Sequence, residues 1–253
     1  MKSDILPFKL HNNIYFIGSS KVSVHFIKST EGLILIDSGY PDMMDIITDG
    51  IRSFGFLEED ISAILLTHGH IDHTGCAIRL RELSGAKIYI SEIDEKMLNE
   101  KKELSWATEL GYDMLSDFNA DILLRDNDIL NFGDIKIRCV LTPGHTDGTM
   151  SFFINDGDIV TAMHGGAGLK SMYKSYLSKY NLSLDCRNKF IDSIARLKNE
   201  NVDLVLGNHP YQNDTVGKLE KVKKGESVLD KSEWIRFLED IEEKFNNMIK
   251  GGL

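Results

Sequence analysis

A run of apolar residues that ends in a histidine cluster constrains this chain more than any other feature. Ile61 to Leu66 reads as a buried strand, and after one threonine it is followed by His68-Gly69-His70-Ile71-Asp72-His73. Burying four such side chains unpaired would be costly. Neutral imidazoles with a carboxylate suit zinc, and His68 and His70 point the same way in an extended chain. The alternative, a solvated histidine-rich turn, is disfavoured because such turns rarely follow an apolar strand. The cluster therefore predicts a metal site at a strand end.

Two further histidines stand in similar places. His145 follows a predicted strand at 135–141, and His209 follows one at 202–206. Each alone would be read as a surface or capping histidine. Because one sheet edge gathers several strand ends, both are predicted to join the cluster as metal ligands.

Apolar patterns predict two batches of strands, each followed by helices. The strands are predicted at 14–17, 22–27, 33–36, 61–66, 87–90, 122–124, 129–130, 135–141, 151–154, 159–163 and 202–206. Helices are predicted at 42–54, from near 74, and around 190–197 and 234–248, while 92–118 is polar and helix-prone. Two sheets packed face to face, with helices outside them, would bury the apolar faces of these strands and helices. This arrangement is an αββα sandwich. The periodicity alone leaves other α/β and α+β arrangements open.

Charge and hydropathy narrow the class of partner. The 29 Lys and Arg residues against 39 Asp and Glu give a formal charge of −10, so no nucleic-acid partner is expected. No stretch reaches the roughly 18 apolar residues of a membrane span, and the N-terminal sequence lacks the apolar run of a signal peptide. We expect a soluble, cytoplasmic protein with reduced cysteines that acts on a small molecule and uses no membrane. The sequence leaves the oligomeric state undetermined.

The motif His-x-His-x-Asp-His resembles the hallmark of the metallo-β-lactamase superfamily. Leu35-Ile36-Asp37-Ser38-Gly39, Pro143-Gly144-His145-Thr146 and Asn208-His209-Pro210 are similar to other motifs of that family, so the resemblance covers nearly all of a single domain, 1–253. It implies the family's α+β fold, a four-layer αββα sandwich with a dinuclear site at one edge of the sheets. It also implies two zinc ions as cofactors, with iron or another divalent metal as the alternative. The implied ligands are His68, His70 and His145 for the first metal, and Asp72, His73 and His209 for the second.

The chain departs from the family at a few positions. Many members supply a bridging aspartate from the strand near 159–163, where this chain has Met163. Glyoxalase-like thioesterases, RNA-processing nucleases and diiron flavoproteins use that carboxylate, so its absence argues against assigning the chain to any of these classes. The third subclass of metallo-β-lactamases does without this ligand, and it is similar at Gly144-His145-Thr146-Asp147-Gly148 and at His209-Pro210. Met163 and His164 replace the Asp-Ser of that subclass, and Cys76 replaces a usual glycine.

Three residues are predicted to lie around the site. Asp37 is interpreted as a hydrogen-bond partner of a ligand histidine, with capping of the following turn as the alternative. His164 would be an extra ligand, a substrate contact or a proton carrier, or would simply pack near the loop. Tyr211 would line a pocket or pack on the surface.

The resemblance implies a hydrolase. Two metals would share a water or hydroxide that attacks a carbonyl, with Asp72 as a ligand that also orients this nucleophile. A β-lactam-like cyclic amide is the expected substrate, with a lactone or another amide or ester as the alternative. Rivals from other classes are an iron-dependent oxidoreductase and a metal-binding protein without catalysis. The segments 92–118 and 164–182 are expected to form the lid and the pocket walls.

Overall fold

The first of two sheets contains the strand that leads into the histidine cluster. The computed structural model describes residues 3–114 and 117–253. The first sheet has seven strands in chain order: β1 (Phe8–His11), β2 (Ile14–Phe16), β3 (His25–Ser29), β4 (Gly32–Ile36), β5 (Ile61–Leu65), β6 (Lys87–Ser91) and β7 (Ile122–Leu124). Neighbours are antiparallel from β1 to β4 and parallel from β4 to β7.

The second sheet has five strands in the order β12-β11-β10-β9-β8. They are β8 (Ile129–Phe132), β9 (Ile135–Leu141), β10 (Met150–Asp156), β11 (Ile159–Met163) and β12 (Leu204–Leu206). β11 and β12 are parallel, and the other neighbours are antiparallel.

Eight α-helices accompany the sheets in the described part of the chain. They are α1 (Met44–Arg52), α2 (Ile71–Thr74), α3 (Ala77–Ser84), α4 (Glu92–Glu100), α5 (Lys174–Lys179), α6 (Asp185–Leu197), α7 (Thr215–Lys223) and α8 (Glu233–Lys250). Over residues 3–114 and 117–253, none of the helices has both the length and the apolar character that a membrane crossing requires.

Alternation along the strands sorts the apolar residues into three cores. On β4, Ile34 and Ile36 face the second sheet, while Leu33 and Leu35 face the helices. The core between the sheets draws on both of them, including Phe16 and Phe152. A second core packs the first sheet against α1, α3 and α4, and a third packs the second sheet against α6 and α8. This is the predicted α+β, four-layer αββα sandwich, and the prediction is confirmed.

Several predicted boundaries differ from the structure. The strand predicted at 22–27 begins only at His25. Before it, the Val24 carbonyl still accepts from the Ile17 amide (2.9 Å), but the Ser23 amide donates to the Asn208 carbonyl (2.8 Å). The helix predicted from near Thr74 is two short helices, α2 and α3. The helix-prone segment 92–118 is α-helical only in α4 and then forms 3₁₀ turns, and its residues 115 and 116 lie outside the described residues.

One edge of the sandwich collects the carboxyl ends of β4, β5, β9, β11 and β12. Leu141 and Met163, the last residues of β9 and β11, are paired with the first residues of β10. The Met150 amide donates to the Thr67 carbonyl (2.8 Å), which fastens the second sheet to the loop after β5. The loops that carry the predicted ligands therefore meet at this edge.

The core between α8 and the second sheet makes a measurable contribution to stability. Trp234 is fully buried, its indole packs on Phe153, and Nε1 donates to the Leu197 carbonyl (3.0 Å). Trp234→Ala is expected to lower the free energy of unfolding by about 3–5 kcal/mol because it opens a cavity. Urea denaturation measures the change. Leu6→Ala, at a residue that is 67% exposed, is the control and should change it by less than about 0.5 kcal/mol. Equal effects of the two substitutions would contradict this packing.

Candidate metal centre

The histidine motif lies where a strand gives way to a helix. After β5 the chain bends over residues 67–69 and is extended again at His70, whose φ and ψ are −73° and 148°, and α2 begins at Ile71. His68 and His70 therefore precede the helix, whereas Asp72 and His73 lie in its first turn. The change in backbone conformation divides the motif into two sets of side chains.

The first set joins His145 from the loop after β9. The Nε2 of His68 lies 3.1 Å from the Nδ1 of His70 and 3.1 Å from the Nε2 of His145. His68 and His70 are buried, and the three histidines form one of two groups that can hold a metal ion. Two strand-end loops, after β5 and β9, thus bring three ring nitrogens to one point.

The second set joins His209 from the loop after β12. The Oδ2 of Asp72 lies 3.4 Å from the Nε2 of His73 and 3.7 Å from the Nε2 of His209. These three residues form the other group that can hold a metal ion. The rings of His68 and His73 are only 4.3 Å apart between centroids, so the two groups are neighbours.

Four of the five histidines are oriented by hydrogen bonds from the ring nitrogen that faces away from the centre. The acceptors of Nδ1 are the Gly165 carbonyl for His68 (2.9 Å), the Gly168 carbonyl for His145 (2.7 Å), the Asp37 carboxylate for His73 (2.8 Å) and the Lys21 carbonyl for His209 (2.7 Å). A carbonyl can only accept, so Nδ1 of His68, His145 and His209 carries the proton. Nε2 of these rings then presents a lone pair to the centre, which is how proteins orient metal-binding histidines.

The first group fits a cation by its own chemistry. The Nε2 atoms of His68 and His145 are 3.1 Å apart, yet with both Nδ1 atoms protonated neither Nε2 has a hydrogen to share. Two facing lone pairs repel each other unless a cation lies between them. Ligand nitrogens around tetrahedral zinc, at Zn–N distances of about 2.0–2.1 Å, are about 3.3 Å apart. The spacing here is close to that value.

Burial keeps the first group uncharged. It holds the pKa of His68 and that of His70 well below the usual range, and the neighbouring imidazoles add to the effect. It also lowers the pKa of His145 to about 4, against the opposing hydrogen bond to Gly168. Three neutral imidazoles are the protonation state that metal binding needs.

The second group is charged. Burial alone would lower the pKa of His73, but the carboxylates of Asp72 and Asp37 outweigh it and raise this pKa to about 10. Burial would likewise raise the pKa of Asp72, but the neighbouring His73 outweighs it and holds that pKa well below its usual value. Without a metal, His73 therefore keeps a proton that a bound cation must displace.

Asp37 lies directly after β4 and is fully buried. Its carboxylate accepts hydrogen bonds from the Thr67 amide (2.8 Å), from the Thr67 hydroxyl (2.9 Å) and from Nδ1 of His73 (2.8 Å). Asp37 thus links the loop after β5 to a histidine of the second group.

His164 belongs to neither of the two groups found in the described residues. It is buried, with its ring 6.0–6.5 Å between centroids from Phe190 and Phe237. Its Nδ1 accepts a hydrogen bond from the Gly166 amide (3.1 Å), and burial lowers its pKa to about 3. His164 therefore shapes the turn that supplies the carbonyls for His68 and His145. Gly166 leaves room in that turn for the ring of His145, because a Cβ there would lie 2.5 Å from Cδ2 of that ring.

Tyr211 is exposed, whereas Met163 is buried. Tyr211 is 75% exposed and stacks on His209 with 5.4 Å between centroids. Met163 ends β11 and packs fully buried between the sheets, where many relatives were expected to supply a carboxylate.

Asp94 is a residue of the site that the sequence did not single out. It is fully buried in α4 and accepts hydrogen bonds from the Gly69 amide (2.8 Å), the Thr146 hydroxyl (2.7 Å) and the Gly148 amide (2.9 Å). Burial raises its pKa to about 6, against the effect of these donors. Asp94 ties the loop of His68 and His70 to the loop of His145. An aspartate in the first turn of a helix is so common that the sequence carries no signal for this role.

A cavity of about 340 Å³ opens beside the first group, with His70 and His145 in its wall. Parts of both predicted wall segments line it, from within 93–104 and from within 171–182. Trp106 lies close by in a left-handed conformation (φ 64°), with its ring 5.5 Å from that of His70 and 5.2 Å from that of Tyr176. Sequence reasoning gave neither this conformation nor this contact.

Known proteins resemble this chain in sequence. The sequence model of the metallo-beta-lactamase superfamily matches residues 17–162. A probable metallo-hydrolase of Bacillus subtilis is 29% identical over 161 residues, which cover 60% of this chain and 71% of that protein. A probable polyketide biosynthesis zinc-dependent hydrolase of Bacillus velezensis is 32% identical over 129 residues, or 51% of this chain and 48% of that protein. The match thus spans only about half of the second relative.

The fold has a counterpart among solved structures. A subclass B3 metallo-beta-lactamase of Bradyrhizobium japonicum superposes with a TM-score of 0.83 at 24% identity, over 98% of this chain and 95% of that one. At this identity the likeness shows the fold. The family match, which covers more than half of the chain, shows the family. The chain therefore belongs to the metallo-β-lactamase superfamily and is a hydrolase of that family with a histidine-rich site able to hold metal.

Proposed function

We propose that this protein is a dinuclear zinc hydrolase that cleaves a carbonyl compound, with a β-lactam-like cyclic amide as the first candidate substrate. The observation that carries the proposal is the pair of adjacent three-residue groups. Nitrogen and carboxylate donors without thiolates suit zinc. The core shared by both sheets supports one functional domain over 1–253.

Each of the two groups would hold one zinc ion. His68, His70 and His145 would hold one zinc as a neutral set, and Asp72, His73 and His209 would hold the other with one carboxylate. When bound, the two ions polarise a carbonyl and lower the pKa of water toward neutrality. Asp72 can orient the attacking water by accepting its hydrogen bond. Asp37 and the carbonyls of Gly165 and Gly168 keep the histidines in place while this happens.

The substrate reaches this site through the cavity beside His70 and His145, which is large enough for a small molecule. A lactone, or another amide or ester, is the alternative substrate within the same chemistry. Each of these substrates would place its carbonyl carbon between the two metal-binding groups.

Turnover tests the hydrolase proposal directly. The zinc-loaded protein is expected to hydrolyse a chromogenic cephalosporin, and a chelator should abolish that hydrolysis. Asp72→Asn should lower kcat/KM by about a hundredfold or more, because it removes a charged ligand and the group that orients water. Asp49→Asn, at an exposed residue of α1, is the control and should behave as wild type.

Two outcomes distinguish a different substrate from a failure of the hydrolase proposal. Turnover of a lactone or of p-nitrophenyl acetate without turnover of the cephalosporin would keep the hydrolase and replace the substrate. Turnover that survives both the chelator and Asp72→Asn would contradict the proposal.

The support from Asp37 has its own test. The Asp37 carboxylate accepts the hydrogen bond from Nδ1 of His73 and so orients the ring. Asp37→Asn removes this negative charge, and zinc affinity should therefore fall by about 10–100-fold. Competition with a chromogenic chelator measures the dissociation constants, and Asp49→Asn again serves as the control. Wild-type affinity for both ions in Asp37→Asn would show that this hydrogen bond does not support the second group.

A further inference from the structure

We propose that the cavity beside His70 and His145 binds an uncharged, apolar acyl chain, so that the substrate is an ester, lactone or amide carrying such a chain. This inference rests on the proposed hydrolase function and deepens it. His70 and His145 are in the cavity wall, whereas Asp72, His73 and His209 are not. The cavity therefore extends from one side of the site, and a group that fills it is joined to the reacting carbonyl.

The walls of the cavity are largely apolar. Met97 and Leu104 come from α4 and the turn after it, and Leu177 and Leu182 come from α5 and the turn that follows it. Met97, Leu104 and Leu182 are only partly buried, so a ligand can still cover their apolar surface. Covering such surface stabilises binding by about 25 cal/mol per Å².

The polar groups of the lining do not favour an anionic ligand. Three lysines (Lys96, Lys101 and Lys189) are balanced by three exposed carboxylates (Glu100, Asp147 and Asp185). Lys189 lies 2.9 Å from Asp147 and 3.4 Å from Asp185, and Lys96 lies 3.8 Å from Glu100. The remaining carboxylate, Asp94, is buried and accepts hydrogen bonds from the protein. The lining as a whole has no surplus of positive charge, which favours a neutral chain.

A series of p-nitrophenyl esters from acetyl to octanoyl tests the inference. With zinc-loaded protein, kcat/KM should rise roughly three- to fourfold for each added methylene until the cavity is full. The octanoyl-to-acetyl ratio should fall at least tenfold in Leu182→Trp, which fills the cavity. Leu104→Trp fills it from the other wall segment and should act in the same way. Leu184→Trp is the matched control, since Leu184 is 52% exposed and lies outside the lining, and it should keep the wild-type ratio.

Binding without turnover gives an independent readout. Octan-1-ol carries the same chain and cannot be hydrolysed, so calorimetry on the full-length protein should show it binding more tightly than butan-1-ol. Leu182→Trp and Leu104→Trp should weaken its binding at least tenfold, and Leu184→Trp should not. A flat ester series, or equal octan-1-ol binding by all the variants, would overturn the inference. Chain-dependent octan-1-ol binding without hydrolysis of any ester, lactone or cephalosporin would contradict the hydrolase proposal and still support acyl-chain binding.

Discussion

The site depends on hydrogen bonds that point away from it. Each Nδ1–H of His68, His145 and His209 is held by a backbone carbonyl, and that of His73 by a buried carboxylate. The carbonyl bonds fix the tautomers of His68, His145 and His209, so the Nε2 lone pairs of these rings face the centre, where those of His68 and His145 repel each other. A neutral ring free to rotate would turn its N–H toward a neighbouring lone pair, and the site would lose its preference for a cation.

The sandwich supplies those acceptors from distant parts of the chain. The Lys21 carbonyl reaches His209 from the turn before β3, and the neighbouring Ser23 amide bonds to the Asn208 carbonyl. The carbonyls of Gly165 and Gly168 come from the turn after β11. The Met150–Thr67 bond joins the sheets at the same edge, so both halves of the fold are needed to orient one group of histidines.

The sequence predicts the parts of this arrangement that side chains encode. Alternating apolar residues predict the sheets, and the histidines after β5, β9 and β12 predict a shared edge. The assignment of Asp72 to one group and His70 to the other came from the family resemblance, and the onset of α2 at Ile71 gives it a physical reason. Backbone acceptors such as those of Lys21 and Gly168 leave no mark in a single sequence. Asp94 was missed because helix-start acids are common, and β1, α5 and α7 are short or weakly patterned.

The central claim is that two three-residue groups each hold one metal, and metal content per chain tests it most directly. Mass spectrometry of the zinc-loaded protein should find two zinc ions per wild-type chain and about one in each of His145→Ala and His209→Ala. The His11→Ala variant, which alters a histidine outside both groups, should keep two. A single ion in the wild type, one iron in place of zinc, or two ions retained in both His145→Ala and His209→Ala would contradict the account.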